Sequence, residues 1–104
     1  MNSIETTKAQ IKNEIESTPV ILYMKGTKDQ PMCGFSSQVV QILNHLGAEF
    51  ETRNVLADEV LRQAIKEYSD WPTIPQLYIN GEFIGGCDIT TELFHSGELK
   101  KLLG

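Results

Sequence analysis

The chain has 104 residues, 40% of them hydrophobic, and this length predicts one compact domain covering residues 1–104. Its 14 acidic and 9 basic residues give a net charge of −5, which disfavours non-specific binding to nucleic acid or to anionic membranes. No apolar run approaches the roughly 18 residues of a membrane span, and the first residues lack the blocks of a signal peptide. We therefore expect a cytoplasmic protein without nucleic-acid or membrane partners.

The first half of the chain predicts a helix followed by a β–α–β unit. Ser3 can cap the first helix, and Pro19 requires that this helix has ended. A short apolar run then predicts a strand that is buried on both faces. The expected elements are a helix over residues 4–17, a strand over 20–24, a helix from Cys33 to Gly47 and a parallel strand over 50–55.

The second half predicts a helix, a β-hairpin and a final helical region. Asp58 can cap a helix that ends near residues 69–70. Asn80-Gly81 is the pair best suited to a type I′ turn between strands at residues 76–79 and 82–85. Asp88 can cap the last helical region, which Gly97 interrupts. This order is typical of the thioredoxin arrangement, an α/β fold with a four-stranded mixed sheet flanked by helices.

Cys33 stands where a loop becomes a helix, so unpaired N–H groups and the helix dipole favour its thiolate. Lys25 is close enough in sequence to contribute. Ser36 occupies the position of a resolving cysteine, and a serine cannot resolve a mixed disulfide. Cys33 can therefore attack a disulfide that an external thiol later releases, hold a soft metal centre, or simply cap the helix as an inert residue.

Cys33 and Cys87 are too few for a disulfide framework and by themselves cannot supply the four ligands of a structural zinc site. A reducing compartment fits this content best. Cys87 could form a disulfide with Cys33, ligate metal, or be a small buried residue that offers its N–H, and we favour the last. Trp71 is expected to pack at a helix-to-loop junction. His45 and His95 lack metal-ligand spacing and are expected at the surface or in helix packing.

Four separated motifs stand in order: Lys25-Gly26, Cys33-Gly34-Phe35-Ser36, Trp71-Pro72-Thr73-Ile74-Pro75-Gln76 and Gly85-Gly86-Cys87-Asp88. In order and spacing they resemble the motifs of CGFS-type monothiol glutaredoxins, over nearly the whole chain. Residues 27–30 resemble the short insertion that separates this group from dithiol glutaredoxins. With no appended thioredoxin module, the chain resembles the single-domain form.

The resemblance implies a glutathione groove. It implies that Pro75 is a cis-proline and that the backbone of Ile74 pairs with the cysteinyl part of glutathione. Lys25 and Arg62 match the positions that bind the glycine carboxylate. Cys87 and Asp88 match those that hold the γ-glutamyl end. Taken singly, Lys25 and Arg62 could be surface charges, Pro75 a loop proline and Asp88 an ordinary helix cap, and for Arg62 and Asp88 this simpler interpretation is the favoured one. Together with Cys33, the groove is favoured instead.

The resemblance also implies two activities. The first is binding and transfer of a [2Fe-2S] cluster, with Cys33 as the metal ligand. Such a cluster usually needs four thiolates, so two chains and two glutathione molecules would complete the set. This makes a homodimer when the cluster is bound and a monomer without it, with a BolA-like protein and iron–sulfur acceptor proteins as partners. The second is glutathione-dependent reduction of protein–glutathione mixed disulfides, at most weak, with Cys33 as the nucleophile. A third hypothesis is an interaction module without chemistry.

Overall fold

The computed structural model describes residues 3–104, and the predicted order of elements is confirmed along that range. The helices are α1 (Ser3–Ser17), α2 (Gly34–His45), α3 (Glu59–Ser69), α4 (Cys87–Ser96) and α5 (Glu98–Leu103). The strands are β1 (Val20–Met24), β2 (Glu51–Asn54), β3 (Gln76–Ile79) and β4 (Glu82–Gly85). Over residues 3–104, no helix has both the length and the apolar character that crossing a membrane requires.

The four strands form one sheet in the order β2-β1-β3-β4. β1 and β2 are parallel, as predicted, whereas β3 is antiparallel to both β1 and β4. The parallel pair belongs to the β–α–β half of the chain, and the antiparallel hairpin belongs to the second half. The mixed sheet and its helices therefore confirm the thioredoxin fold.

β1 is the strand that organises the interior, because all five of its residues are buried. Successive side chains of a strand point to opposite faces, so β1 contributes to two cores. Ile21 and Tyr23 pack in a core with residues of α1 and α3. Leu22 and Met24 pack in a second core with residues of α2, α4 and α5. The sheet thus separates one layer of helices from the other.

The turn between β3 and β4 has the backbone that its sequence predicts. Asn80 and Gly81 have φ values of +50° and +84°. A type I′ turn needs positive φ at both central residues, which Asn and Gly adopt most readily. The hairpin pairs Leu77 with Gly85. The end of β4 and the start of α4 consequently lie beside the start of β3.

The helix caps agree with the sequence at one position and differ at two. The Asp58 side chain accepts hydrogen bonds from the N–H groups of Val60 and Leu61, at 3.0 and 3.2 Å, so this predicted cap is confirmed. Asp88 is not a cap, because the extended backbone of Gly86 lets α4 begin at Cys87 and places Asp88 in the first turn. Ser3 lies within α1 rather than ahead of it.

Candidate functional site

A groove with a volume of about 530 Å³ opens beside Cys33. Five segments line it: the residue after β1, the start of α2, the middle of α3, the loop at residues 71–75 and the start of α4. All the site residues predicted from the sequence lie along its walls, namely Lys25, Cys33, Arg62, Ile74, Cys87 and Asp88. The fold therefore brings together residues that are far apart in the chain.

Cys33 is the N-cap residue of α2, with extended backbone angles of φ −156° and ψ 136°. Partial burial of the thiol by itself would raise its pKa, but hydrogen bonds from the backbone N–H groups of Ser36 and Phe35 oppose this. The charge of Lys25 and the Ser36 hydroxyl act in the same direction as those N–H groups. The pKa of Cys33 is therefore lowered, and the thiolate is favoured.

Ser36 stands at the position of a resolving cysteine and has a structural role there. Its side chain is fully buried, and its Oγ accepts a hydrogen bond of 3.1 Å from the Lys25 N–H. The same hydroxyl stabilises the Cys33 thiolate. The Ser36 hydroxyl thus hydrogen-bonds both to the residue after β1 and to the Cys33 thiolate. It provides no second sulfur at this position.

The predicted insertion, residues 27–30, forms a compact turn. The backbones of Thr27 and Gln30 exchange two hydrogen bonds of 3.1 Å. The ammonium of Lys28 donates a hydrogen bond to the Phe50 carbonyl and lies 4.1 Å from the centroid of the Phe50 ring. Lys28 is consequently held at the start of β2 and does not line the groove.

The loop at residues 71–75 forms one wall of the groove, and its Ile74–Pro75 peptide bond is cis, as predicted. The Ile74 side chain is buried in the core beside α1 and α3. Within residues 3–104, its main-chain N–H and C=O have no hydrogen-bond partner. The loop therefore offers an unpaired stretch of backbone to any ligand that lies beside Cys33.

The opposite wall is the start of α4. A Cβ at Gly86 would lie 3.2 Å from the Pro75 carbonyl oxygen, so the absence of a side chain allows the two walls to approach closely. Burial raises the pKa of Cys87; the Thr91 hydroxyl opposes this, and the nearby charges of Asp88 and Cys33 raise the pKa further. The Cys87 side chain is buried, in agreement with the favoured interpretation. The two thiols therefore differ in burial and in the direction of their pKa shifts, and the thiolate is favoured at Cys33 and disfavoured at Cys87.

Sequence reasoning missed one cation of the groove. Lys66 lies one turn after Arg62 on α3, and both line the groove together with Lys25. The i, i+4 spacing from Arg62 was the available signal. All three side chains are half-buried, and none forms an ion pair among the residues described. In a protein with a net charge of −5, three unpaired cations on the groove walls are suited to an anionic ligand.

Aromatic residues frame the site without taking part in its polar chemistry. Trp71 packs against Phe83, with ring centroids 5.9 Å apart, and its other side lines the groove. Phe35 projects from the first turn of α2 and is 62% exposed. The expectation for the two histidines is confirmed, since His45 and His95 are exposed and their rings pack against Phe94.

The donor set of the groove fits a metal cluster only if other molecules complete it. No group of three or more His, Cys, Asp and Glu side chains in the described range could hold a metal ion. Cys33 is the accessible thiol with a lowered pKa, whereas Cys87 is buried. One chain therefore provides one thiolate ligand, and further sulfur ligands would have to come from outside the chain.

Comparison with known proteins gives consistent matches. The family model described as Glutaredoxin matches residues 20–84. An uncharacterized monothiol glutaredoxin, ycf64-like, from Synechocystis is 60% identical over 97 residues, which are 93% of this chain and 91% of that protein. A probable monothiol glutaredoxin 2 from Rickettsia conorii is 61% identical over 93 residues, 89% of this chain and 87% of that protein. The solution structure of reduced apo GrxS14 from poplar has 56% identity and a TM-score of 0.83, covering 97% of this chain and 93% of that one.

Proposed function

The chain belongs to the glutaredoxin family, among its monothiol members, and we propose that it binds glutathione and holds a [2Fe-2S] cluster for delivery to acceptor proteins. The observation that carries the proposal is a single activated thiol, Cys33, at the edge of a groove lined by unpaired cations. A groove of this kind suits a small anionic thiol that would lie beside Cys33.

The walls of the groove match the chemical groups of glutathione. This tripeptide has a carboxylate at each end, an ammonium beside one of them and a central thiol. Lys25, Arg62 and Lys66 supply positive charge for the glycine carboxylate, and Arg62 is able to bind it in a bidentate manner. The unpaired backbone of Ile74 suits the cysteinyl residue, which would pair with it as a short strand does.

The start of α4 suits the other end of the ligand. The first N–H groups of a helix have no intrahelical acceptor, and they bind carboxylates well. Cys87 and Asp88 lie in this first turn, so we assign their N–H groups to the γ-glutamyl carboxylate. The Asp88 carboxylate is suited to the neighbouring ammonium. A ligand bound in this way places its sulfur beside Cys33.

The number of ligands determines the proposed assembly. A [2Fe-2S] cluster bound by four thiolates needs two Cys33 side chains and two glutathione thiolates. The loaded form is then a homodimer and the free form a monomer. Because glutathione is an exchangeable ligand, the cluster is cargo that this protein carries. A BolA-like protein could replace one subunit, and iron–sulfur acceptor proteins would receive the cluster.

A second candidate function is reduction of protein–glutathione mixed disulfides, which the lowered pKa of Cys33 favours. The Cys33 thiolate would attack the glutathione sulfur, and the protein thiolate would leave. A second glutathione thiolate would then attack the new disulfide, releasing oxidised glutathione and the Cys33 thiolate. Because Ser36 cannot act as a resolving thiol, every turnover depends on this external glutathione, and we expect weak activity.

Anaerobic reconstitution with iron, sulfide and glutathione tests the carrier function. We expect visible absorption bands of a [2Fe-2S] cluster and elution as a dimer in size-exclusion chromatography. Cys33→Ser should abolish both signals, whereas the matched variant Cys87→Ser should retain them. A colourless monomer from the wild-type chain would contradict the carrier function, and equal loss in both variants would make Cys87 a ligand.

We further propose that residues 1–104 form a single glutaredoxin domain and that the protein works in the cytoplasm. Two free cysteines suit such a reducing compartment. Immunofluorescence of the tagged chain in its host cell, with a cytoplasmic marker, tests the location. Signal confined to another compartment would refute it.

A further inference from the structure

Gln76 is a buried polar residue whose hydrogen bonds go almost entirely to the groove wall. It is the first residue of β3 and follows the cis Ile74–Pro75 bond directly. Its side chain is fully buried. The Nε2 group donates to the carbonyl oxygens of Trp71 and Thr73, at 3.1 and 3.2 Å. Both N–H groups of the carboxamide are therefore used on the loop at residues 71–75.

The carboxamide is itself held from the other side. Its Oε1 accepts a hydrogen bond of 3.0 Å from the Tyr78 hydroxyl. The Tyr78 ring packs against Tyr23 and Phe83, with centroids 6.0 and 5.3 Å away. Because these rings belong to the sheet, the Gln76 side chain is fixed relative to β1, β3 and β4. The Gln76 side chain thus joins the loop to the sheet, while the Trp71 N–H joins the beginning of the loop to α3 through the Lys66 carbonyl and the Ser69 hydroxyl.

The two accepting carbonyls lie just before Ile74, the residue whose backbone is unpaired. Trp71 and Thr73 both precede Ile74, and Thr73 is its immediate neighbour. A carbonyl that points inward to Gln76 fixes the orientation of the peptide plane it belongs to. The Thr73 carbonyl shares its peptide plane with the Ile74 N–H. Gln76 therefore determines the direction of the N–H that faces the groove.

We propose that Gln76 is a positioning residue for ligand binding, which orients the Ile74 peptide N–H through its hydrogen bond to the Thr73 carbonyl. The inference rests on the proposed function, since the ligand is glutathione. An apolar side chain of the same length would fill the space and leave the two carbonyls without these donors. The loop would then lose the orientation that pairing with an extended ligand requires.

The binding test compares two variants that break the same network at different points. Gln76→Met removes both bonds to the loop, whereas Tyr78→Phe removes only the bond to Oε1. We expect Gln76→Met to bind glutathione about tenfold more weakly in a calorimetric titration, and Tyr78→Phe to stay within about twofold of wild type. Both variants should lose thermal stability. Equal weakening in the two variants, or unchanged binding in Gln76→Met, would overturn the positioning role.

A measurement without ligand separates this inference from the proposed function. In amide nuclear magnetic resonance spectra of the free protein, we expect the Ile74 N–H signal to move in Gln76→Met and to keep its wild-type position in Tyr78→Phe. An unmoved signal in Gln76→Met would refute the inference even if glutathione binds. If Gln76→Met fails to fold, Gln76→Leu removes the same donors without adding a charge to the buried site, and the same shift is expected. Failure of the wild-type chain to bind glutathione would contradict the proposed function and with it the role in glutathione binding, whereas the Ile74 signal of the free protein would still show whether Gln76 orients this N–H.

Discussion

Removing the Ser36 hydroxyl should change both the stability of the protein and the acidity of Cys33. In Ser36→Ala the half-buried Lys25 N–H loses its 3.1 Å acceptor, the hydroxyl of the fully buried Ser36. A buried donor left without a partner costs about 1–3 kcal/mol of unfolding free energy. The variant also loses one of the groups that lower the pKa of Cys33, so this pKa should rise.

Two assays measure these effects. Urea unfolding gives the change in free energy, and the pH dependence of the alkylation rate of Cys33 gives the shift in its pKa. Ser37→Ala is the matched control, because the Ser37 hydroxyl only accepts a bond from Gln41 on the exposed side of the same helix. The reasoning is refuted if Ser36→Ala loses no more stability than the control, or if the alkylation profile of Cys33 stays where it was.

The sign of the associated pH dependence follows from the lowered pKa. A thiol whose pKa is lower in the folded state stabilises the fold at alkaline pH, and this contribution disappears as the pH falls through the folded-state pKa. The difference in stability between wild type and Cys33→Ser should therefore grow in favour of wild type as the pH rises towards 9.0, the ordinary value of a cysteine. When both proteins also carry Ser36→Ala, this stability difference should grow less with pH. Equal growth in both backgrounds would show that the hydroxyl does not act on the thiolate.

Two further predictions concern the turn after β1 and one wall of the groove. Gly26→Ala places a Cβ on a residue with φ +92° and only 2.5 Å from the Met32 nitrogen. Backbone strain alone lowers the unfolding free energy by about 1–3 kcal/mol, and the clash should increase this loss. Gly47→Ala, at φ +70° with open space, is the control for strain without a clash, and equal losses of unfolding free energy would disprove the clash. Lys66→Gln should weaken glutathione binding several-fold in calorimetry, and more strongly at low salt, because charge is lost from the groove. The exposed Lys100→Gln serves as its control, and indistinguishable affinities of the two would remove Lys66 from the site.

The sequence was sufficient for the elements of the fold because each has a strong local cause. The apolar run of β1 and the Asn80-Gly81 turn depend on neighbouring residues alone, and both have the predicted structure. That Lys25, Cys33 and Asp88 share one site was predicted from the resemblance of motifs, not from the periodicity of the sequence. Their common groove shows that the motifs meet in space.

Other features depend on tertiary contacts that no local pattern contains. Asp88 was expected to cap α4, but the permissive backbone of Gly86 takes the cap position two residues earlier. Lys28 and Lys66 are both lysines near predicted site residues, and only the fold places one over Phe50 and the other in the groove. Gln76 ends one of the sequence motifs, but the sequence did not indicate its hydrogen bonds, because its partners lie in a loop whose course depends on a cis bond.

The groove is lined by residues from helices on both faces of the sheet, and this affects how a ligand changes the free energy of unfolding. Cys33 is the N-cap of α2, which packs on one face of the sheet. Arg62 belongs to α3, which packs on the opposite face. A ligand that touches both residues adds a direct link between the two layers of helices, which lie on opposite faces of the sheet. Its binding free energy is then added to the unfolding of both layers together. In amide hydrogen exchange, protection in α2 and α3 should therefore rise in parallel with ligand concentration, and the two layers should open as one unit.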